Sequence, residues 1–208
     1  FLGGPASRSL RMLADEINAA GGIKGHTIEL IIKDSAGSPE KAISFAKQLI
    51  EEDRVFAIIG PSTSGESLSI KKVCEDGRTI MISCSAADLI VTPVSPHIFK
   101  TAPSDRFAAR QIFTTMQQRG IKKIAVLAAN DGFGKAGKEQ LAKNAADFGI
   151  TIVAEDVYDK SATDLTASVA KLKANPEIQA VVNWSIVPAQ AILAKNIRQA
   201  GWDVPLFQ

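Results

Sequence analysis

Apolar positions switch repeatedly between a helical and a strand period, and turn-forming residues stand at the switch points. From Pro5 to about Ala20, Leu10, Leu13 and Ile17 recur at helical spacing, and Gly21-Gly22 stops the run. Thr27–Asp34 then predicts a buried strand. Pro39 follows Ser38 at a first helical position, and Ala42, Ala46, Leu49 and Ile50 supply that helix's apolar face. Val55–Ile59 predicts a strand, small residues from Gly60 to Gly65 lead into a helix through about Asp76, and Thr79–Ser83 is strand-like again. After a Pro-rich passage, Thr92 to Pro103, the pattern gives a helix over Asp105–Arg119 and a strand over Lys123–Ala129. A helix from about Gly134 to Phe148, a strand at Thr151–Val157, a helix at Asp164–Ala174 and a strand at Ala180–Trp184 follow. Last come a helix over Pro188–Ala200 and a short strand near Val204.

Strands separated by helices of about ten to fifteen residues imply parallel sheets with helices on both faces, an α/β fold. The break near residues 101–104 divides the chain into two lobes, 1–101 and 102–208. The first lobe opens on a helix with no strand before it and the last strand has no helix after it, so each lobe is expected to be partial. Nothing repeats at a solenoid period.

Composition narrows the function. With 46% hydrophobic and 22% charged residues, the 208-residue chain has ordinary globular composition, which excludes disorder. Its 24 Lys+Arg against 22 Asp+Glu leave a formal charge of +2, and no basic run exceeds the pairs Lys71-Lys72 and Lys122-Lys123. Such a chain offers no stripe for tracking a nucleic-acid backbone. No stretch reaches the roughly 18 apolar residues a membrane helix needs, and Phe-Leu-Gly-Gly-Pro at the start carries no visible signal peptide. Cys74 and Cys84 fit either two thiols or one bridge.

In open α/β sheets ligands lie beyond the carboxyl ends of the strands, so the loops after strands are where function is sought. The first is Gly60-Pro-Ser-Thr-Ser-Gly65-Glu66. It has the glycine spacing of a phosphate loop but Glu66 where that motif needs lysine, which would repel phosphate. There remain a helix N-terminus and the hydroxyls of Ser62, Thr63 and Ser64, suited to a carboxylate or another small polar group. The plainer alternative makes Ser64 an N-cap. The second loop, Ser83-Cys-Ser85-Ala86-Ala87, has side chains small enough for a ligand to approach the backbone, or for close strand–helix packing. In the third, Asn130-Asp131-Gly-Phe133-Gly134, flanking glycines suggest an aromatic ring displayed from a turn, though Phe is commonly core and Asp131 commonly a cap.

Catalytic sets are missing from the sequence. The only histidines are His26 and His97, no Cys/His spacing fits a metal, and no Gly-x-Ser-x-Gly elbow occurs. No isolated carboxylate pair in an apolar setting argues for acid/base chemistry. A non-enzyme without metal or cofactor is the expectation.

Asn18-Ala-Ala-Gly-Gly-Ile-Lys-Gly25, Ile58-Ile-Gly-Pro-Ser-Thr-Ser64, Met81-Ile-Ser-Cys-Ser-Ala-Ala87, Phe99-Lys-Thr101, Asp131-Gly-Phe-Gly134 and Ala194-Lys-Asn-Ile-Arg-Gln-Ala-Gly201 lie in order along nearly the whole chain. Together they resemble the type I periplasmic binding proteins that serve branched-chain amino acid ABC transporters, the Leu/Ile/Val-binding group. The resemblance implies two doubly wound, Rossmann-like lobes joined by a hinge, closing on a small molecule delivered to a membrane permease from the periplasm or another extracytoplasmic, lipid-anchored position. It also implies that this chain is an incomplete member. By position Ser64 would bind a ligand carboxylate, Ala86 would offer backbone groups, Phe133 would replace a tyrosine, Trp184 or Ser185 would form the opposing wall, and Leu2 would line the mouth. Ser62, Thr63, Ser85 and Ala87 complete the expected contacts. Ala87 and Phe133 stand where amino-acid binders of this group commonly carry hydroxyls, which suits an aromatic or aliphatic carboxylate as well as a branched-chain amino acid. Two other classes share such a fold: a ligand-sensing domain of a regulator or receptor, and a small-molecule enzyme.

Overall fold

The computed structural model describes residues 2–208. The chain divides into two compact units, Phe1–Ser85 with Ile90–Ala102, and Ala86–Leu89 with Pro103–Gln208.

The first unit contains helices α1 (Gly3–Ala19), α2 (Pro39–Glu51) and α3 (Ser64–Asp76) and strands β1 (Ala57–Ile59), β2 (Ile80–Ser83) and β3 (Ile98–Lys100). The strands form one parallel sheet in the order β1-β2-β3. Helix α2 starts as its residues dictate, with Pro39 at the first position and the Ser38 side chain accepting from the Lys41 N–H. Ala42 and Ala46 are its buried positions, while α3 buries Ile70 and Cys74. Gly77, just past α3, lets α2 pack close, because a Cβ there would come within 2.8 Å of Ile50 Cγ2.

Three expectations need correction in this unit. Residues 27–34 join no ladder among the described residues, and Leu30, Ile31 and Ile32 are 36%, 37% and 39% exposed. A strand exists through its partner's hydrogen bonds, and here the Asn18 amide takes that role at one residue only. Its Nδ2 donates to the Ile28 carbonyl at 2.9 Å and its Oδ1 accepts from the Ile28 N–H at 2.7 Å. The expected apolar face of α1 is only partly covered, with Ala14 buried and Leu13 exposed. Strand β3 lies inside the passage read as Pro-rich connection, a three-residue run whose Ile98 is buried.

The second unit follows its pattern closely: α4 (Asp105–Gln118), β4 (Lys123–Ala129), α5 (Gly132–Ala145), β5 (Thr151–Tyr158), α6 (Thr166–Lys173), β6 (Ala180–Trp184), α7 (Ala189–Gln199) and β7 (Leu206–Phe207). The sheet is parallel in the order β5-β4-β6-β7. Alternation along β4 distributes its side chains to two cores. Ile124, Val126 and Ala128 pack with Phe113 and Met116 of α4 and Leu141 of α5; Ala125, Leu127 and Ala129 pack with Val169 and Leu172 of α6 and Leu193 and Ile197 of α7. Helices therefore cover both faces, the doubly wound α/β arrangement that the near-continuous apolar run of β4 requires.

Candidate functional site

In the first unit, the loop after β1 turns at Gly60 (φ 120°), a value suited to glycine, and enters α3 with Thr63 as its N-cap. The cap is therefore Thr63, one residue before the alternative considered for Ser64, which is instead the first helical residue and is buried. Thr63 and Glu66 pair at the helix start: the Glu66 N–H donates to Thr63 Oγ1 at 3.4 Å, and that hydroxyl donates to Glu66 Oε2 at 2.5 Å. Glu66 Oε1, on a residue only 3% exposed, has no hydrogen-bond partner among the described residues.

Beneath this loop three hydroxyls meet. Ser67 Oγ lies 2.8 Å from Ser83 Oγ and 2.7 Å from Ser85 Oγ, and Ser83 and Ser85 are 2.7 Å apart. Ser67 also donates to the Pro61 carbonyl at 3.4 Å, and the Cys84 N–H donates to the same carbonyl at 3.1 Å. The loops after β1 and β2 are thus tied to each other by a buried, mutually satisfied cluster. Ser85 is consumed by it. Ser62 is half-buried near the start of α1, where a Cβ on Gly3 would stand 3.6 Å from its Oγ. Leu2, at the N-cap of α1, is 36% exposed. The sequence pattern singled out neither Ser67 nor Ser83 as a site residue, although Ser83 opens the second loop, and it put the alternative N-cap at Ser64 rather than Thr63.

Ala86 and Ala87 belong to the second unit, Ala86 half-buried and Ala87 fully buried. Phe133 is not displayed from a turn. Asp131 caps α5 by accepting from the Gly134 N–H at 2.7 Å, which draws Gly132, Phe133 and Gly134 into the helix. Gly134 is obligatory there, since a Cβ would fall 2.0 Å from the Ala129 carbonyl oxygen. Phe133 is half-buried and packs on Trp184 with ring centroids 5.7 Å apart. The Trp184 indole is only 6% exposed, part of the core between the sheet and α4/α5, so it backs Phe133.

On the other face of β6, Asn183 accepts from the Tyr158 hydroxyl at 2.7 Å. Burial pushes the Tyr158 phenol up, hydrogen bonds with Ser185 and Asn183 oppose this, and the Asp131 carboxylate adds to the rise. Ser185 is half-buried and its Oγ accepts from the Val187 N–H at 3.2 Å. Tyr158, Asn183 and Ser185 thus meet at the carboxyl ends of β5 and β6, where a doubly wound sheet binds ligands. Tyr158 and Asn183 were not anticipated, because inside strand patterns they read as framework.

A groove of about 440 Å³ on this unit, lined by Asp88, Arg106, Arg110 and Asn144 among others, contains none of the expected contacts. Cys74 and Cys84 are both free thiols. Among the described residues no group of His, Cys, Asp and Glu could hold a metal ion, and no helix is long and apolar enough to cross a membrane.

The sequence matches the family described as "Periplasmic binding protein" over residues 1–207. It is 28% identical over 194 residues to the leucine-, isoleucine-, valine-, threonine- and alanine-binding protein of Pseudomonas aeruginosa, covering 92% of this chain and 52% of that relative. The chain is a type I periplasmic binding protein of the branched-chain amino acid family. The fold agrees. A Periplasmic binding Protein Type 1 from Bordetella pertussis Tohama I superposes with a TM-score of 0.87 at 23% identity, over 99% of this chain and 57% of that one. An extracellular ligand-binding receptor from Rhodopseudomonas palustris HaA2 gives 0.83 at 25% identity, over 93% and 55%. This periplasmic binding protein chain thus spans about half the length of the curated relatives it matches. Those relatives are named as amino-acid-binding proteins.

Proposed function

We propose that this protein is the extracytoplasmic, periplasmic solute-binding component of an ABC importer. It captures a small amino acid or hydrophobic carboxylate between two lobes that close about a hinge, and hands it to a membrane permease. The observation that carries this reading is the family match over residues 1–207 together with a relative that binds five apolar or small amino acids. Ligand binds the closed form more tightly than the open one, and that difference drives closure.

The start of α3 suits a carboxylate, with Ser64 as its first residue and the loop residues Ser62 and Thr63 before it at the positive end of the helix. Ala86 and Ala87 supply backbone groups to the ligand's polar end. Phe133, backed by Trp184, and Ser185 form the opposing wall, with Leu2 at the mouth. No bond of the ligand is made or broken. Ala87 and Phe133 lack hydroxyls, which favours a carboxylate without an amine as the second reading of the ligand.

Thermal unfolding of the full-length protein, freed of endogenous ligand by unfolding and refolding, tests this against branched-chain amino acids and aromatic or short-chain carboxylates. Ligand at 100 times its Kd adds about 2.7 kcal/mol, a rise of roughly 5 to 10 °C. A shift with leucine or valine supports the amino-acid reading, and a shift only with carboxylates moves the protein to the second. No shift with either panel overturns both.

A further inference from the structure

We propose that Asp105 is a positioning residue for ligand binding, its carboxylate holding the Ala86–Asp88 backbone in the conformation that meets the ligand. The inference rests on the reading above that this loop is a ligand contact. Asp105 is the first residue of α4 and only 2% exposed. The helix dipole favours a carboxylate in a first turn, but that preference is met equally well by an exposed one, and burying a charge requires specific compensation.

Two hydrogen bonds of Asp105 are directed at one loop. Asp105 Oδ1 accepts from the Asp88 N–H at 3.1 Å, and the Asp105 N–H donates to the Ala86 carbonyl at 3.0 Å. These two bonds bracket Ala87, which is fully buried. On the outer side Arg106 Nε stands 3.5 Å from Asp88 Oδ1. Two adjacent residues of one helix therefore grip a segment that has no regular structure at Ala86 and Ala87 and only methyl side chains there. All of these groups lie in the second compact unit. A loop that presents its backbone to a ligand binds tightly only when that backbone is fixed beforehand, and the side chains of Ala86 and Ala87 cannot fix it.

The test compares D105A, D105S and D105N in the full-length, ligand-stripped protein. Leucine is titrated first, then the carboxylates, by calorimetry, alongside amide hydrogen exchange at residues 86–89. D105N keeps the Oδ1 acceptor, whereas serine keeps a polar atom for the helix start but is too short to reach Asp88. The expected result is a Kd raised about tenfold or more in D105A and D105S and held within about threefold in D105N, with exchange at 86–89 accelerated only in the first two. Folded D105A with wild-type affinity overturns the inference and leaves the transport reading standing. D105A and D105S that both fail to fold while D105N is normal would make Asp105 a stability residue and also overturn it. Wild-type protein that binds no member of the panel overturns the transport reading and the inference with it.

Discussion

Gly137 leaves no room for a side chain: a Cβ there would fall 2.0 Å from Trp184 Nε1. Gly137→Ala therefore forces the indole, and Phe133 with it, out of position. We expect it to cost about 1–3 kcal/mol in denaturant unfolding, the usual range for overpacking, with a shift in tryptophan emission; unchanged stability would contradict the packing. Cys74 makes a pH prediction. Burial, assisted by the neighbouring Glu75 charge, pushes its thiol from the ordinary 9.0 up to about 11. The folded protein thus keeps a proton that the unfolded chain releases, so this contribution is intact below pH 9 and is lost as pH rises toward 11. Unfolding midpoints from pH 8 to 11 should fall more steeply in the wild type than in Cys74→Ala, and parallel curves would refute the assignment. Ser64, Phe133 and Ala86 were legible as candidates because loop position after a strand is visible in the periodicity. Tyr158 and Asn183 were not: their role depends on a bond across β4, between residues 25 apart in sequence.

At the scale of elements, the Thr63 cap of α3 separates stability from binding. Thr63→Ala removes the N-cap acceptor and the donor to Glu66, and should destabilise the fold by about 1 kcal/mol. Ser64→Ala leaves the cap intact and should weaken ligand binding while moving the unfolding midpoint less than Thr63→Ala does. Equal effects of the two on both readouts would place Ser64 in the fold alone. The second unit was legible almost element by element because its parallel strands carry runs that only burial on both faces explains. The first unit was less so. Thr27–Asp34 has strand composition, but composition cannot supply a ladder partner, and β3 is too short for its period to register between Pro96 and Pro103.

For the whole molecule, the central claim is capture of a small ligand by closure of two lobes. Family membership is shown by the match over nearly the whole chain, while ligand and hinge motion stand as the proposal. Sequence made the family legible because its motifs fall in the loops after β1, β2 and β4, where spacing is constrained by the backbone. It left the ligand open because Ala87 and Phe133 subtract hydroxyls without naming what replaces them. The most direct measurement is small-angle X-ray scattering of the full-length, ligand-stripped protein through the panel of amino acids and carboxylates. The account predicts that at least one compound lowers the radius of gyration, saturating at one ligand per chain. A scattering curve unchanged by every member of the panel would contradict it.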